Sequence, residues 1–188
     1  SGTVGVSAQP GDSTGFSIGV RNTGNSAAQY TMSCTSASQW QIMLGNSNSS
    51  SLEFEPLNIL QDLSMDVNVF VPSVANGVPA SGFVDQVTCV VTSPTDASLN
   101  HVEVVNIPVA ELRSFQSDLY GPNGAIGPGA LAAPVYANTG DVVYFNHTIS
   151  NNGNTDMDFT VSLERGNPAW AAQMSYNGQT SSTNLAMN

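Results

Sequence analysis

Residues 11–34 return as residues 140–163 at a constant offset of 129, without a gap. Eight of these 24 positions are identical: Gly11/Gly140, Asp12/Asp141, Phe16/Phe145, Asn22/Asn151, Gly24/Gly153, Asn25/Asn154, Thr31/Thr160 and Ser33/Ser162. Others keep their character, among them Val20/Ile149, Tyr30/Phe159 and Met32/Val161. With one inserted residue, Trp40 also meets Trp170. Two apolar segments around an Asn-x-Gly-Asn turn, then a Trp, therefore recur as a unit. Solenoid repeats have periods of about 20–50 residues, so a spacing this long means tandem domains.

The periodicity inside each copy sets the class of those domains. Phe16, Ile18 and Val20 alternate with Ser17, Gly19 and Arg21, and Leu63, Met65, Val67, Val69 and Val71 alternate with mostly polar residues. The segments Phe83 to Val91 and Val102 to Val109 read the same way. Period-two alternation places one face of a strand on a core and the other in water. Asn76-Gly77, Asn123-Gly124, Asn152-Gly153 and Asn177-Gly178 are turn signals, because both residue types tolerate positive φ. Leu57 to Leu63 is the single helix candidate, and it is too short to stand alone. The expected fold is all-β: an Ig-like antiparallel β-sandwich, one complete copy plus an incomplete second copy.

The repeat also places the boundaries. Residues 1–112 form repeat one, 113–132 a linker rich in Gly, Pro and Ala, and 133–188 an incomplete repeat two. A full second copy at the same spacing would run roughly 53 residues past Asn188. Counterparts of Leu63–Val71, Phe83–Val91 and Val102–Val109 are then lacking. The apolar positions Val143, Phe145, Ile149, Phe159, Val161 and Leu163 would be left uncovered, which soluble proteins avoid. Residues outside the 188 are expected to complete the second sheet, either downstream or donated by a neighbouring subunit.

Composition narrows the function. Three arginines, no lysine and 14 acids give a net charge of −11. Nucleic acid and anionic membrane surfaces are disfavoured as partners, since no basic patch can be built. A Schiff-base lysine, a Walker lysine and a Lys–Asn crosslink are excluded outright. No apolar run approaches the ~20 residues of a membrane span. Ser, Thr and Asn supply 57 of 188 residues, so solubility comes from hydroxyls, amides and one sign of charge. An acidic, lysine-free, hydroxyl-rich chain points to an extracellular or cell-surface location.

Val20-Arg21-Asn22-Thr23-Gly24-Asn25 and Ile149-Ser150-Asn151-Asn152-Gly153-Asn154 resemble the hydrophobic-x-Asn-x-Gly-Asn hairpin of extracellular Ig-like modules. These include CARDB-type adhesion domains and the Ig-like domains appended to secreted glycosidases. The resemblance spans Val4 to Val109 and the start of the second copy. It takes in the Trp40/Trp170 position and the Pro-bounded strand end Val69-Phe70-Val71-Pro72. It implies a tandem, secreted or surface-attached, non-catalytic protein. The partners so implied are other copies of the chain or other cell-surface proteins, and the alternative is a carbohydrate-binding or spacer module of a secreted hydrolase that contacts glycans.

Individual residues offer few chemical leads. Cys34 and Cys89 both fall in the apolar phase of their strands, and a disulfide between them is expected, with two buried thiols as the alternative. Gly11-Asp12-Ser13-Thr14-Gly15 matches G-x-S-x-G, but a Pro precedes it and a strand follows, so Ser13 reads as a turn residue and no catalytic residue is assigned. No cofactor is expected. Asp141, Asn154, Asp156 and Asp158 offer oxygen ligands of the kind calcium takes, or else form a solvated acidic loop. Asn48 and Asn146 open glycosylation sequons. His147 replaces Ile18 in an inward-facing series and is expected to be partly buried, with His101 exposed. Trp40 and Trp170 are either sugar platforms or core residues, and neighbours such as Ile42 and Leu44 favour the core.

Overall fold

A computed structural model describes residues 6–73, 79–96, 98–121, 124–126 and 136–187. The turn signals Asn76-Gly77 and Asn123, and much of the Gly/Pro-rich segment up to residue 135, lie outside the described residues. The chain divides into two compact units, Ser1–Leu112 and Arg113–Asn188.

Among the described residues the first unit holds the strands β1 (Ser13–Arg21), β2 (Thr31–Ser36), β3 (Gln41–Leu44), β4 (Ser51–Glu53), β5 (Asp62–Phe70), β6 (Val84–Thr92) and β7 (Asn100–Pro108). They make two antiparallel sheets, β1-β5-β3 and β4-β2-β6-β7. The alternation dictates which side chains meet between them. Phe16, Ile18, Ile42, Leu44, Val67 and Val69 from one sheet join Met32, Cys34, Val87, Cys89, Val105 and Ile107 from the other in a single buried cluster. Each fully buried aliphatic side chain contributes about 1.5–3 kcal/mol, so this cluster is the main source of the unit's stability. Before β1, Ala8 forms a parallel bridge to Val109 just past β7. No helix occurs among the described residues, and the helix candidate at Leu57 to Leu63 is corrected. There Leu57 bridges Ala28, Leu60 adopts a φ of 63°, and its amide donates to the Asn22 carbonyl at 2.8 Å, so cross-chain bonds win over a short helix.

Cys34 and Cys89 face each other across β2 and β6 and are joined in a disulfide. Their Cα atoms lie 4.0 Å apart, the close spacing of a non-hydrogen-bonded antiparallel pair. The Cys34 amide confirms that phase, because it donates to Ser50 on the β4 side at 2.8 Å.

The second unit comprises β8 (Phe115–Gly121), β9 (Gly124–Ile126), β10 (Asn146–Asn151), β11 (Phe159–Ser162), β12 (Met174–Tyr176), β13 (Gln179–Ser181) and β14 (Asn184–Met187). They form three small sheets, β10-β8-β9, β11-β14 and β12-β13. The linker expectation over 113–132 is corrected here, since β8 and β9 occupy that stretch. Phe115, Ser117 and Leu119 alternate with Gln116, Asp118 and Tyr120, a thin apolar signal that the following Gly/Pro run obscured. The Asn177-Gly178 turn between β12 and β13 has φ of 48° and 79°, the two positive values of a type I′ hairpin.

Several local features recur at the 129-residue offset. Gly11 and Gly140 both take positive φ, 88° and 93°. The next residue, Asp12 or Asp141, donates its amide to the carbonyl three residues back, Gln9 or Asn138, at 3.1 Å in each case. The pairing of β2 with β4 at Thr31↔Glu53 and Met32↔Leu52 returns in β11 with β14 as Thr160↔Ala186 and Val161↔Leu185.

Breaking the disulfide tests its part in the first unit. Cys34 and Cys89 are 55 residues apart, and a closed loop of that size is worth about 4 kcal/mol in the chain-entropy model. The double variant Cys34→Ala/Cys89→Ala should lose stability of that order in urea unfolding. The unreduced protein should take up no alkylating reagent, and two freely alkylated thiols would contradict the bridge.

Candidate functional site

The recurring Asn-x-Gly-Asn turn is the best-built polar feature of the chain. Asn22 follows β1, is wholly buried, and has every carboxamide atom engaged. Its Nδ2 donates to the carbonyls of Ser26 at 2.9 Å and Leu57 at 2.8 Å. Its Oδ1 accepts from the Gly24 amide at 2.9 Å and from the Tyr30 hydroxyl at 3.2 Å. Asn151 makes the same local bonds, Nδ2 to Thr155 at 2.8 Å and Oδ1 from Gly153 at 2.9 Å. It is exposed, however, and Phe159 stands where Tyr30 brings its hydroxyl. The turn is thus locally encoded in both units, but only the first closes a core around it.

Burial separates the two units throughout. Among the described residues, nineteen buried apolar residues lie in the first unit and one, Leu185, in the second. Trp40 is 8% exposed, with the Phe83 ring 6.0 Å away at the entry to β6. Its counterpart Trp170 is 73% exposed, which corrects the core expectation for that residue. Among the described residues no aromatic ring contact like that of Phe83 is seen at Trp170. Tyr136, Tyr144 and Phe115 are exposed as well, and Phe145 is 48% exposed. His147 is likewise exposed, against the expectation of partial burial, because the face it shares with Phe145 has no covering sheet among the described residues.

His147 has a partner that sequence reasoning missed. Its Nε2 lies 2.6 Å from Ser117 Oγ, across the β8–β10 pair. Ser117 fell in the presumed linker, and only the strand pairing brings the two together. His147 is exposed and Ser117 half-buried, and a two-residue contact of this kind does not by itself make a catalytic constellation. Ser13 opens β1 opposite Phe70, which is a strand context and not a strand–turn–helix elbow.

The acidic residues are dispersed. Asp141 accepts from the amide and side chain of Asn138, at 2.7 and 3.1 Å, and so caps its own turn. Asn154 is buried, while Asp156 and Asp158 are exposed. Among the described residues no three His, Cys, Asp or Glu side chains converge on a metal-sized site. Two surface carboxyls are held below the ordinary range, Asp96 by the hydroxyl and amide of Ser98 and Glu103 by His101, which lies 2.8 Å away. Both sequon asparagines are exposed, Asn48 in the β3–β4 turn and Asn146 at the start of β10. Asn48 borders an open groove of about 380 Å³ with Thr35, Ser36, Gln39, Trp40 and Ser50.

One buried acid was also invisible in the sequence. Asp85 on β6 accepts from the Ser36 hydroxyl at 2.6 Å and the Ser38 amide at 2.9 Å, while Ser36 Oγ accepts from the Trp40 amide at 2.9 Å. This chain of bonds holds the β2–β3 connection and seats Trp40.

No protein-family model matches the chain, and no curated protein matches it.

The two asparagines should therefore differ sharply on truncation. Asn22→Ala leaves buried donors and acceptors unpaired and should cost about 2–4 kcal/mol, whereas Asn151→Ala at an exposed turn should cost less than about 1 kcal/mol. Urea unfolding in a Trp170→Phe background, where Trp40 alone reports, checks the first, and amide dispersion of the second unit checks the other. Equal costs would refute the contrast.

Proposed function

We propose that this chain is a non-enzymatic structural or adhesion module of an extracellular, cell-surface or filament-forming protein, which works by engaging other protein strands. The observation that carries this reading is the contrast in burial between two copies of one repeat. The first unit covers its apolar faces with two sheets, while the second presents Phe145, Phe115 and Trp170 to solvent. Sheet edges that stay open beside exposed apolar side chains are templates for partner strands.

Other features support it. The disulfide suits an oxidising compartment such as the cell exterior. The layout of the first unit, with its parallel bridge from Ala8 to Val109, supports the Ig-like reading, and so does the tandem repeat. The charge balance favours protein partners or neutral glycans over nucleic acid. A second reading, a carbohydrate-binding or spacer module of a secreted hydrolase, draws on the exposed rings of Trp170, Tyr144 and Tyr136. Aromatic faces left in water are what sugar rings stack on. The exposed apolar set includes Phe115 and Phe145 as well as these rings, a surface that suits protein strands better than sugars, and this ranks the glycan reading second.

Sedimentation velocity over a wide concentration range, with acrylamide quenching of the tryptophans, separates the two. Assembly predicts association that shields Trp170, while Trp40 stays shielded throughout. A chain that remains monomeric, keeps Trp170 fully quenchable, and binds neutral polysaccharide in a Trp170-dependent way would replace the assembly reading with the glycan one.

A further inference from the structure

We propose that the groove beside the β2–β3 connection is a binding site for a short neutral saccharide. The site is built wholly from the first unit, so it goes beyond the assembly reading and does not depend on it.

Unmet hydrogen-bonding groups identify the groove. Trp40 is only 8% exposed, and it lines the groove together with Gln39, Gln41, Ile42 and Asn48. Its backbone amide is taken by Ser36 Oγ at 2.9 Å, but its indole Nε1 donates to no group of the protein. Among the described residues no sealed side-chain donor lacks a partner, so this N–H opens on solvent. Backbone groups add to it. The Leu44 amide donates to Ser49 and the Gly45 amide to Asp66 on β5, so residues in the phase of Leu44 turn their amides and carbonyls away from β5. Ile42 is in that phase, and β3 ends its sheet in the order β1-β5-β3. On the facing wall the Cys34 amide donates to Ser50. The Ser36 amide, two residues on, points the same way, beyond the reach of β4, which begins at Ser51 and pairs no further along β2 than Ser33.

The walls are held in place before any ligand arrives. Asp85 fixes Ser36 and Ser38, and Ser36 in turn fixes Trp40. Gln39 adopts a φ of 62°, a left-handed conformation that is costly outside glycine. The chain nevertheless carries a carboxamide there, at the border of the groove.

The lining selects the class of ligand. No charged side chain borders the groove, and a net charge of −11 opposes anions. The carboxamides of Gln39, Gln41 and Asn48 each donate and accept, as sugar hydroxyls do. A volume of about 380 Å³ lies at the lower end of the range of about 300–1,000 Å³ for small-molecule sites. A polypeptide strand does not fit, because strand addition needs a run of open residues along one edge. On either side of Ile42 the amides are already engaged, Trp40 by Ser36 Oγ and Leu44 by the Ser49 carbonyl. One open residue cannot hold a strand, whether it comes from this chain or from another.

The test titrates the isotope-labelled 188-residue protein with the methyl glycosides of glucose, galactose, mannose and N-acetylglucosamine, followed by NMR. Glucuronate and a capped Ala-Ser-Ala peptide serve as comparisons. At least one neutral glycoside should shift the Trp40 indole, the Ser36 and Ile42 amides and the Gln39, Gln41 and Asn48 side-chain amides along one saturable curve. The Trp170 indole should stay in place. The variants Gln39→Gly, which also relieves the backbone, and Gln41→Ala should each weaken binding roughly tenfold while the core resonances stay put. The proposal is overturned if none of the four glycosides gives a saturable shift at Trp40, or if they move Trp170 instead. It is also overturned if glucuronate or the peptide binds the groove as well as the neutral glycosides do, or if both variants bind as tightly as the parent. Any of these failures leaves the assembly reading standing, since sedimentation tests that separately.

Discussion

The buried carboxamide of Asn22 ties together what would otherwise be separate pieces. One side chain closes its own turn through Ser26 and Gly24 and anchors the distant Leu57 carbonyl and the Tyr30 hydroxyl. Its main chain also bonds Gln61 and Leu60. Because Leu57 directs the chain from β4 into β5, this amide links the β1–β2 connection to the strand that β1 must pair with. A buried amide is stable only when every donor and acceptor is met, so the bonds form together or not at all. Asn151 shows the limit of the same motif. It closes the turn with two local bonds and remains exposed.

Much of this was legible in advance, for a definite reason. Alternation over nine residues, as in β5, has one solution for which face goes inward, and two inward cysteines on neighbouring strands then share one face, where the right register lets them bridge. The register Cys34↔Cys89 met that condition. The Gly-Asp and Asn-x-Gly-Asn positions carry their geometry in a few residues, so the repeat could be read from identity alone. What depended on distant partners could not. Asp85 looks like a surface acid until β2 brings Ser36 and Ser38 to it.

Errors in the second unit share one cause. His147 and Trp170 were placed in a core by analogy with Ile18 and Trp40, yet burial belongs to the assembly of strands and not to the residue. Phe83 covers Trp40 from a sequence distance of 43 residues, and a local pattern holds no record of it. The missed strand β8 is the converse case. Its apolar content is modest, and pairing with β10 stabilises it more than its own composition does. Turn-rich neighbours then pulled the reading toward a linker.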